Sequence, residues 1–347
     1  MKSMSDVEPV PLRGGPVLRW GILAPGVIAT KFARSLKRHT DQEITAVGSR
    51  SSERAEAFGH EFSIPRVHGS YEALLADDAV DIVYIASPHS HHKEMAVASL
   101  EAGKHVLVEK PLATSAMEAQ AISDAAKLHN RFAMEAMHTR FHPRTRVLEK
   151  LLSDGDLGHV RMVIADLGVR FPLDLHHRLY DPELGGGALL DMGVYSVWLA
   201  VFVIGLPTSV HCIGKLASSG VDTQSTTVLT NDDGQQAVAC CSLYTFGSGE
   251  ASVNGSDGRV VVASRHAAPG GLTLYDEKNE LVAQYVDRSG LLTAEDGLCR
   301  QAVWAARHVT DGLTQSPLHP LSTSIGVLQV LDEARAQLGM TPRRQAT

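Results

Sequence analysis

Lys110, Asp191 and Tyr195 are the side chains of this sequence best suited to moving a proton. Lys110 precedes Pro111, whose ring disfavours helix at the residue before it, so the lysine stays extended as it leaves a strand. An ammonium there can polarise a substrate oxygen and lower the pKa of a nearby acid. Asp191 and Tyr195 are four residues apart in a stretch that reads as a buried helix, so both project from one face. A carboxylate and a phenol on an apolar helix are costly unless something polar awaits them. Oxidising an alcohol requires a group that takes the hydroxyl proton while an acceptor takes the hydride, and a tyrosine does this when a cation stabilises its phenolate. Each residue also has a plainer reading: a surface lysine leaving a strand, and a helix whose polar residues are satisfied at a domain interface. Arg140 and Arg178 are secondary candidates for contact with substrate or a phosphate, and equally for structural roles.

The elements that would hold these residues alternate in the first third of the chain. Apolar or β-branched runs at 18–23, 43–49, 80–86, 105–109 and 132–136 read as strands. Helical spacing follows them, from Ile28, Phe32 and Leu36, through 51–62 and 90–102, to a helix opened by a Ser115/Glu118 capping box. Strand–helix alternation with short turns predicts a doubly wound parallel sheet covered on both faces, which binds ligands beyond the carboxyl ends of its strands. The first such turn reads Gly21-Ile-Leu-Ala24-Pro25-Gly26-Val27-Ile28-Ala29. It is a degraded form of the glycine fingerprint that brings a pyrophosphate to a helix N-terminus, with Ala24 in place of the first glycine and Ala29 of the last. The second strand ends Gly48-Ser49-Arg50-Ser51-Ser52-Glu53-Arg54, with no carboxylate at Ser49 or Arg50 to accept from ribose hydroxyls. Guanidinium forks at Arg50 and Arg54 match a 2′-phosphate, so NADP(H) is favoured, with NAD possible; the plainer alternative is a solvated helix start.

Composition excludes several classes. The 347 residues are enough for two domains, and 44% hydrophobic with 20% charged residues is ordinary for a globular chain. A net charge of −7 and the lack of a basic run argue against a nucleic-acid partner. Cys212, Cys240, Cys241 and Cys299 form no C-x-x-C pair, which fits reduced thiols and a cytoplasmic location. Residues 1–16 lack the apolar core of a signal peptide and read as a flexible tail. Residues 188–206 are apolar over nearly the length of a membrane span but carry Asp191, so a buried helix is expected and no membrane partner.

Three strings carry a family likeness: the turn at Gly21–Ala29, Ser87-Pro88-His89-Ser90-His91-His92, and Ala102-Gly103-Lys104-His105-Val106…Glu109-Lys110-Pro111. Together they resemble the Gfo/Idh/MocA oxidoreductases. Met134-Glu-Ala-Met-His-Thr-Arg140-Phe-His-Pro143 and Gly185-Gly-Gly-Ala-Leu-Leu-Asp191-Met-Gly-Val-Tyr195 narrow the likeness to the dimeric dihydrodiol dehydrogenases and the glucose-fructose oxidoreductase branch. The resemblance, spanning about 18–338, implies a Rossmann domain and hydride transfer at a secondary alcohol or ketone of a sugar, anhydro-sugar or trans-dihydrodiol. It implies Lys110 as the supporting cation, Tyr195 as general acid/base, and Asp191 as an orienting or substrate-binding group. Ser87, Pro88, His89, His92 and Glu109 would border the cofactor, which counts against reading the His89-Ser-His91-His92 cluster as a metal site. Many members have His where this chain has Tyr195, which speaks against an inositol dehydrogenase.

Beyond Pro207 the pattern becomes β, with strands at 209–215, 225–230, 236–244, 249–255, 259–263 and 271–275, then helices at 294–311 and 322–339. This predicts an α+β domain with a large, mainly antiparallel sheet. The expected divisions are a tail at 1–16, a dinucleotide-binding domain at 17–138, a substrate and oligomerisation domain at 139–340, and a tail at 341–347. The resemblance alone implies a homodimer, or a higher homo-oligomer, through that sheet. The competing reading is a dinucleotide sensor that kept the fold and lost the chemistry, against which the retention of Lys110, Asp191 and Tyr195 stands.

Overall fold

The computed structural model describes Met4 and residues 10–263, 265–291 and 293–340; the expected tail at 341–347, and most of 1–9, lie outside them. Part of the expected N-terminal tail is anchored. Arg13 pairs with Asp41 at 2.7 Å, the Gly14 N–H donates to the same carboxylate, and the Pro16 carbonyl accepts from Gln42.

The chain forms two compact units. The first comprises Val10–Phe141 and Thr293–Ile325; the second takes in His142–Leu292 and the chain from Gly326. The first unit holds β1 (Arg19–Leu23), α1 (Val27–His39), β2 (Glu43–Gly48), α2 (Ser52–Phe62), β3 (Arg66–His68), α3 (Tyr71–Leu75), β4 (Ile82–Ile85), α4 (His92–Glu101), β5 (His105–Val108), α5 (Ala116–Leu128) and β6 (Ala133–Glu135). Its six strands are parallel in the order β3-β2-β1-β4-β5-β6. The order reverses between β1 and β4, the switch point beside which such sheets bind ligands. β4 is buried along its whole length, which explains its unbroken apolar sequence. Phe32 of α1 stacks on Tyr84 of β4 with ring centroids 3.8 Å apart, and Trp20 of β1 meets Phe32 edge-on. The sequence pattern does not show β3 or α3, because an edge strand of three residues with Arg66 and Val67 exposed has no periodicity to read.

The second unit begins with α6 (Pro143–Ser153) and β7 (Val160–Gly168), followed by α7 (Val194–Ile204). Strands β8 (Ser209–Leu216), β9 (Asp222–Thr230), β10 (Gln236–Ser242), β11 (Ala251–Gly255), β12 (Gly258–Val262), β13 (Leu272–Asp276) and β14 (Leu281–Tyr285) complete its sheet. The order is β14-β13-β12-β11-β7-β10-β9-β8; β7 and β10 run parallel and every other pair is antiparallel. The sequence pattern misses β7 although it is central. Met162 and Ile164 are apolar on the face opposite Val163 and Ala165, so the period-two signature is lost. Gln337 closes the free edge of β8 by accepting from the Cys212 N–H and donating to the Val210 carbonyl.

Helices α8 (Ala294–Gly297) and α9 (Cys299–Thr310) return to the first unit, and α10 (Leu321–Gln337) begins there, whereas the sequence pattern groups all three with the second domain. Packing decides this. Ser35 of α1 donates to the Asp296 carbonyl and accepts from the Cys299 N–H, and Gln315 makes a parallel bridge to Ala133, the first residue of β6. The apolar stretch weighed as a membrane span is part of Pro182–Ile204, long and apolar enough to cross a membrane by length and composition, yet 83% of its most apolar window is buried inside the protein. That is the environment of a core helix.

Candidate active site

The carboxyl end of β1 turns through Ala24, whose φ of +60° lies in the left-handed region and whose N–H donates to the Gly48 carbonyl. The degraded fingerprint therefore keeps the glycine-like backbone at a strain of about 1 kcal/mol. Gly26 then leads into α1 with no side-chain cap, no acid in the first turn, and only the Ala24 carbonyl within 4 Å of where a Cβ would stand. Val27 is exposed and Ile28 half-buried beside this open N-terminus. At the end of β2, Arg50 and Arg54 are both exposed, while Ser49 is buried and its hydroxyl accepts from the Ser51 N–H.

The turns after β4 and β5 are held together by His92, the first residue of α4. This ring is fully buried, with Nδ1 2.8 Å from the Pro111 carbonyl and Nε2 3.0 Å from the Ser87 carbonyl. Burial, with Lys110 nearby, holds its pKa below the usual histidine value, so the ring is neutral at pH 7. A neutral ring donates from one nitrogen only, so it serves one of these two carbonyls at a time. His89 is buried with its ring 5.7 Å from that of His92, and Pro88 is half-buried. Glu109 is also buried; Tyr84 donates to its Oε1, its Oε2 accepts the Lys110 N–H, and burial raises its pKa. Lys110 itself is half-buried at the mouth of this turn. The next donor, the Leu112 N–H, goes to Glu135 Oε1 at 2.9 Å. Arg140 is buried in the same unit, and its Nε donates to the Leu318 carbonyl.

In the second unit Asp191 lies in one wide turn, Leu189–Gly193, that runs directly into α7 and is closed by an i→i+5 bond from the Val194 N–H to the Leu189 carbonyl. Such turns widen the helix locally and recur at functional sites. Asp191 and Tyr195 are both buried, and Arg178 reaches the Asp191 carboxylate at 3.3 Å with its own side chain about half exposed. Asp222 anchors the start of the turn, its Oδ2 accepting the Leu189 N–H at 2.7 Å. Gly187 has φ +117°, and a Cβ there would stand 2.3 Å from Asp222 Oδ1, so only glycine lets the chain pass this carboxylate. Burial pushes the Asp222 carboxyl up to about 6, against the backbone bonds that favour its charged form.

The sequence matches a family model described as "Oxidoreductase family, NAD-binding Rossmann fold" at residues 18–137 and one for the GFO/IDH/MocA C-terminal domain at residues 145–261. The chain is a member of the Gfo/Idh/MocA oxidoreductases. It is 33% identical to the trans-1,2-dihydrobenzene-1,2-diol dehydrogenase of Mus musculus and 32% to that of Homo sapiens, over 93% of this chain and 98% of each relative. Among solved structures it is similar to KijD10, a 3-ketoreductase from Actinomadura kijaniata in complex with TDP-benzene and NADP, with TM-score 0.77, 26% identity, and 92% and 97% of the two chains covered. It also shares its fold with an aldose-aldose oxidoreductase from Caulobacter crescentus, with TM-score 0.79, 23% identity and the same coverage.

This Gfo/Idh/MocA chain is thus an NAD(P)-dependent oxidoreductase acting on CH–OH groups, and its first unit fits the dinucleotide. The N-terminus of α1 beside Gly26, which has no side-chain cap, would offer backbone N–H groups to a pyrophosphate. Among the described residues no three His, Cys, Asp or Glu side chains gather as a metal site would require. The sequence pattern missed Glu135, Asp222, His319 and Ser324, since an isolated carboxylate or hydroxyl in an apolar run does not reveal its partner. The only hints were a Glu ending a buried strand and the three glycines before Ala188.

Asp222 gives this site a pH signature. Its carboxyl titrates near 3.8 when unfolded and about 6 when folded, so its contribution to stability is full below about pH 4 and is lost as pH rises to about 6. Asp222→Asn, neutral throughout, escapes that loss. Urea unfolding should show the variant gaining on the parent by up to about 3 kcal/mol between pH 4 and 7. A gap that does not change with pH would mean the carboxyl titrates as an ordinary one.

Proposed function

We propose that this oxidoreductase moves hydride between NADP(H) and a secondary alcohol, or its ketone, on a ring such as a trans-dihydrodiol or a pyranose. The nicotinamide, when bound, accepts or returns the hydride. The chain's own residues do the rest: Tyr195 takes the hydroxyl proton during oxidation and returns it during reduction, Lys110 stabilises the phenolate and polarises the substrate oxygen, and Asp191, paired with Arg178, orients the substrate. The observation that carries this reading is the Lys110 turn, whose flanking groups are tied down by Tyr84, His92 and Glu135. Such fixation suits a charge that must meet a reacting oxygen. The names of the dihydrodiol dehydrogenase relatives support the ring alcohol. Arg140, buried and bonded to the Leu318 carbonyl, is better suited to supporting the site than to touching substrate.

The backbone of Ala24, Gly26, Val27 and Ile28 would cradle the pyrophosphate, Arg50 and Arg54 the 2′-phosphate, and Ser87, Pro88 and His89 would border the nicotinamide. His92 and Glu109, both buried, would act from behind that surface. The KijD10 enzyme, solved with NADP, supports the choice of cofactor. Four unpaired cysteines fit a reducing, cytoplasmic setting.

A homodimer through the open face of the second unit's sheet completes the proposal. Val228, Val238 and Ile164 stand in register across β9, β10 and β7, and Val228 and Ile164 are 38% and 43% exposed. α7 packs against the other face of β7 and β10, so this apolar row has no covering element among the described residues. Ile164→Glu should yield a monomer in sedimentation equilibrium; a parent protein that is already monomeric disproves the pairing.

The function itself is tested with purified protein, NADP⁺, and a panel of trans-1,2-dihydrobenzene-1,2-diol and aldopyranoses, followed by reduced-nicotinamide absorbance. Binding of NADPH without turnover of any of them would return the sensor reading. Tyr195→Phe removes one hydroxyl, so kcat should fall about 10²–10⁴-fold with NADPH affinity kept; retention of most activity across the pH profile removes the phenol from its role. Arg50→Ala should raise KM for NADP⁺ and leave that for NAD⁺ nearly unchanged. A parent enzyme with the higher kcat/KM on NAD⁺ would sink the phosphate assignment.

A further inference from the structure

Glu135 ends β6 and is buried with only 3% of its surface exposed, and three donors converge on its carboxylate. Oε1 accepts the Leu112 N–H at 2.9 Å; Oε2 accepts His319 Nε2 at 2.9 Å and the Ser324 hydroxyl at 2.6 Å. His319 and Ser324 are buried too, each 1% exposed, so this group presents no surface to a substrate. Its hydrogen bond toward the proposed chemistry is the one from the Leu112 N–H, two residues beyond Lys110, and its charge is also felt by Glu109 and His92.

We propose that Glu135 is a positioning residue for Lys110, acting through the Leu112 N–H and held in place by His319 and Ser324. The inference rests on the proposed role of Lys110. The turn Glu109–Leu112 leaves the sheet with no regular partner strand, and each end is pinned separately. Upstream, the Glu109 N–H donates to the Ile85 carbonyl and its side chain accepts from Tyr84. Downstream, His92 holds the Pro111 carbonyl and Glu135 holds the next donor, on a leucine with no exposed surface. Without Glu135 that N–H is a buried orphan, and the turn must shift to find water or another acceptor. The side chain that rides on the shift is Lys110. A carboxylate suits the post because it only accepts, and it meets three donors at once. Burial alone would raise its pKa, but the donors from His319, Ser324 and Leu112 hold it below the usual glutamate value, so the anchor stays ionised.

Glu135→Met keeps the length and removes every acceptor, whereas Glu135→Gln keeps one oxygen that can still serve Leu112. The first measurement needs no turnover: acetylation of lysines in the free protein by limiting acetic anhydride, read by mass spectrometry. Lys110 should react several-fold faster in Glu135→Met and at the parent rate in Glu135→Gln, with exposed Lys278 as the unaffected reference. The second uses NADP⁺ and trans-1,2-dihydrobenzene-1,2-diol in single turnovers. Glu135→Met should slow the step about 10–100-fold with NADPH affinity kept, as a misplacement of about 1 Å does. It should cost little more when Lys110→Met is already present, because the two act through one group. Where Glu135→Met does not fold, Glu135→Asp draws the carboxylate back by one methylene and should move both readouts the same way by less. Parent-like labelling of Lys110 in Glu135→Met, or an equal loss in both backgrounds, overturns the positioning role while leaving Lys110 its own. A Lys110→Met enzyme with full activity overturns the role of Lys110 and this inference with it.

Discussion

Buried carboxylates that accept backbone N–H groups fix the segments that carry the proposed catalytic side chains. A turn leaving a sheet or opening a helix has donors that no regular partner reaches, and water cannot serve them in a closed core. Glu135 answers this after β5 and Asp222 at the start of the wide turn before α7. In each unit, the segment bearing a proposed catalytic side chain is tied by a carboxylate from a distant stretch of sequence.

The two anchors resolve the cost of burial in opposite ways. Glu135 is met by His319 and Ser324 in addition to a backbone N–H, and its pKa is lowered despite burial. Asp222 relies on backbone donors and the more distant charge of Arg335; burial wins there, and the carboxyl rises to about 6. The donors and charges that face each carboxylate, set against its burial, decide the sign. The same contrast separates Glu109, raised with Tyr84 and the Lys110 N–H as its partners, from Glu135. The first unit therefore holds its lysine turn with charge that persists across the physiological range, while the second unit's anchor changes charge just below it.

Left-handed backbone stands beside two of the proposed site segments. Ala24 takes a left-handed φ at the end of β1, and Gly187 takes one that a Cβ would make impossible against Asp222. The alanine shows that the fingerprint glycine is a preference of about 1 kcal/mol and not a requirement. Gly187 is different, because there the obstacle is another side chain and no conformational adjustment of its own would remove it.

Much was legible in the linear chain, because its signals are local. Strand–helix alternation up to 136, the turn at Gly21–Ala29 and the Ser115 cap depend on neighbours within a few residues, and the structure carries each of them. The four-residue spacing of Asp191 and Tyr195 was read as one helix face, whereas Asp191 lies in a wide turn that only then runs into α7. The absence of an acid at Ser49-Arg50 was equally plain. Tertiary structure alone decided that α8 and α9 belong with the first unit, that β7 is the centre of the second sheet, and that His92 turns inward onto two carbonyls. It alone paired Leu112 with Glu135, 23 residues away, and Leu189 with Asp222, 33 residues away. The physical reason is that periodicity and turn chemistry report what a residue does to its own segment, whereas a buried donor's choice of acceptor depends on which segments pack together.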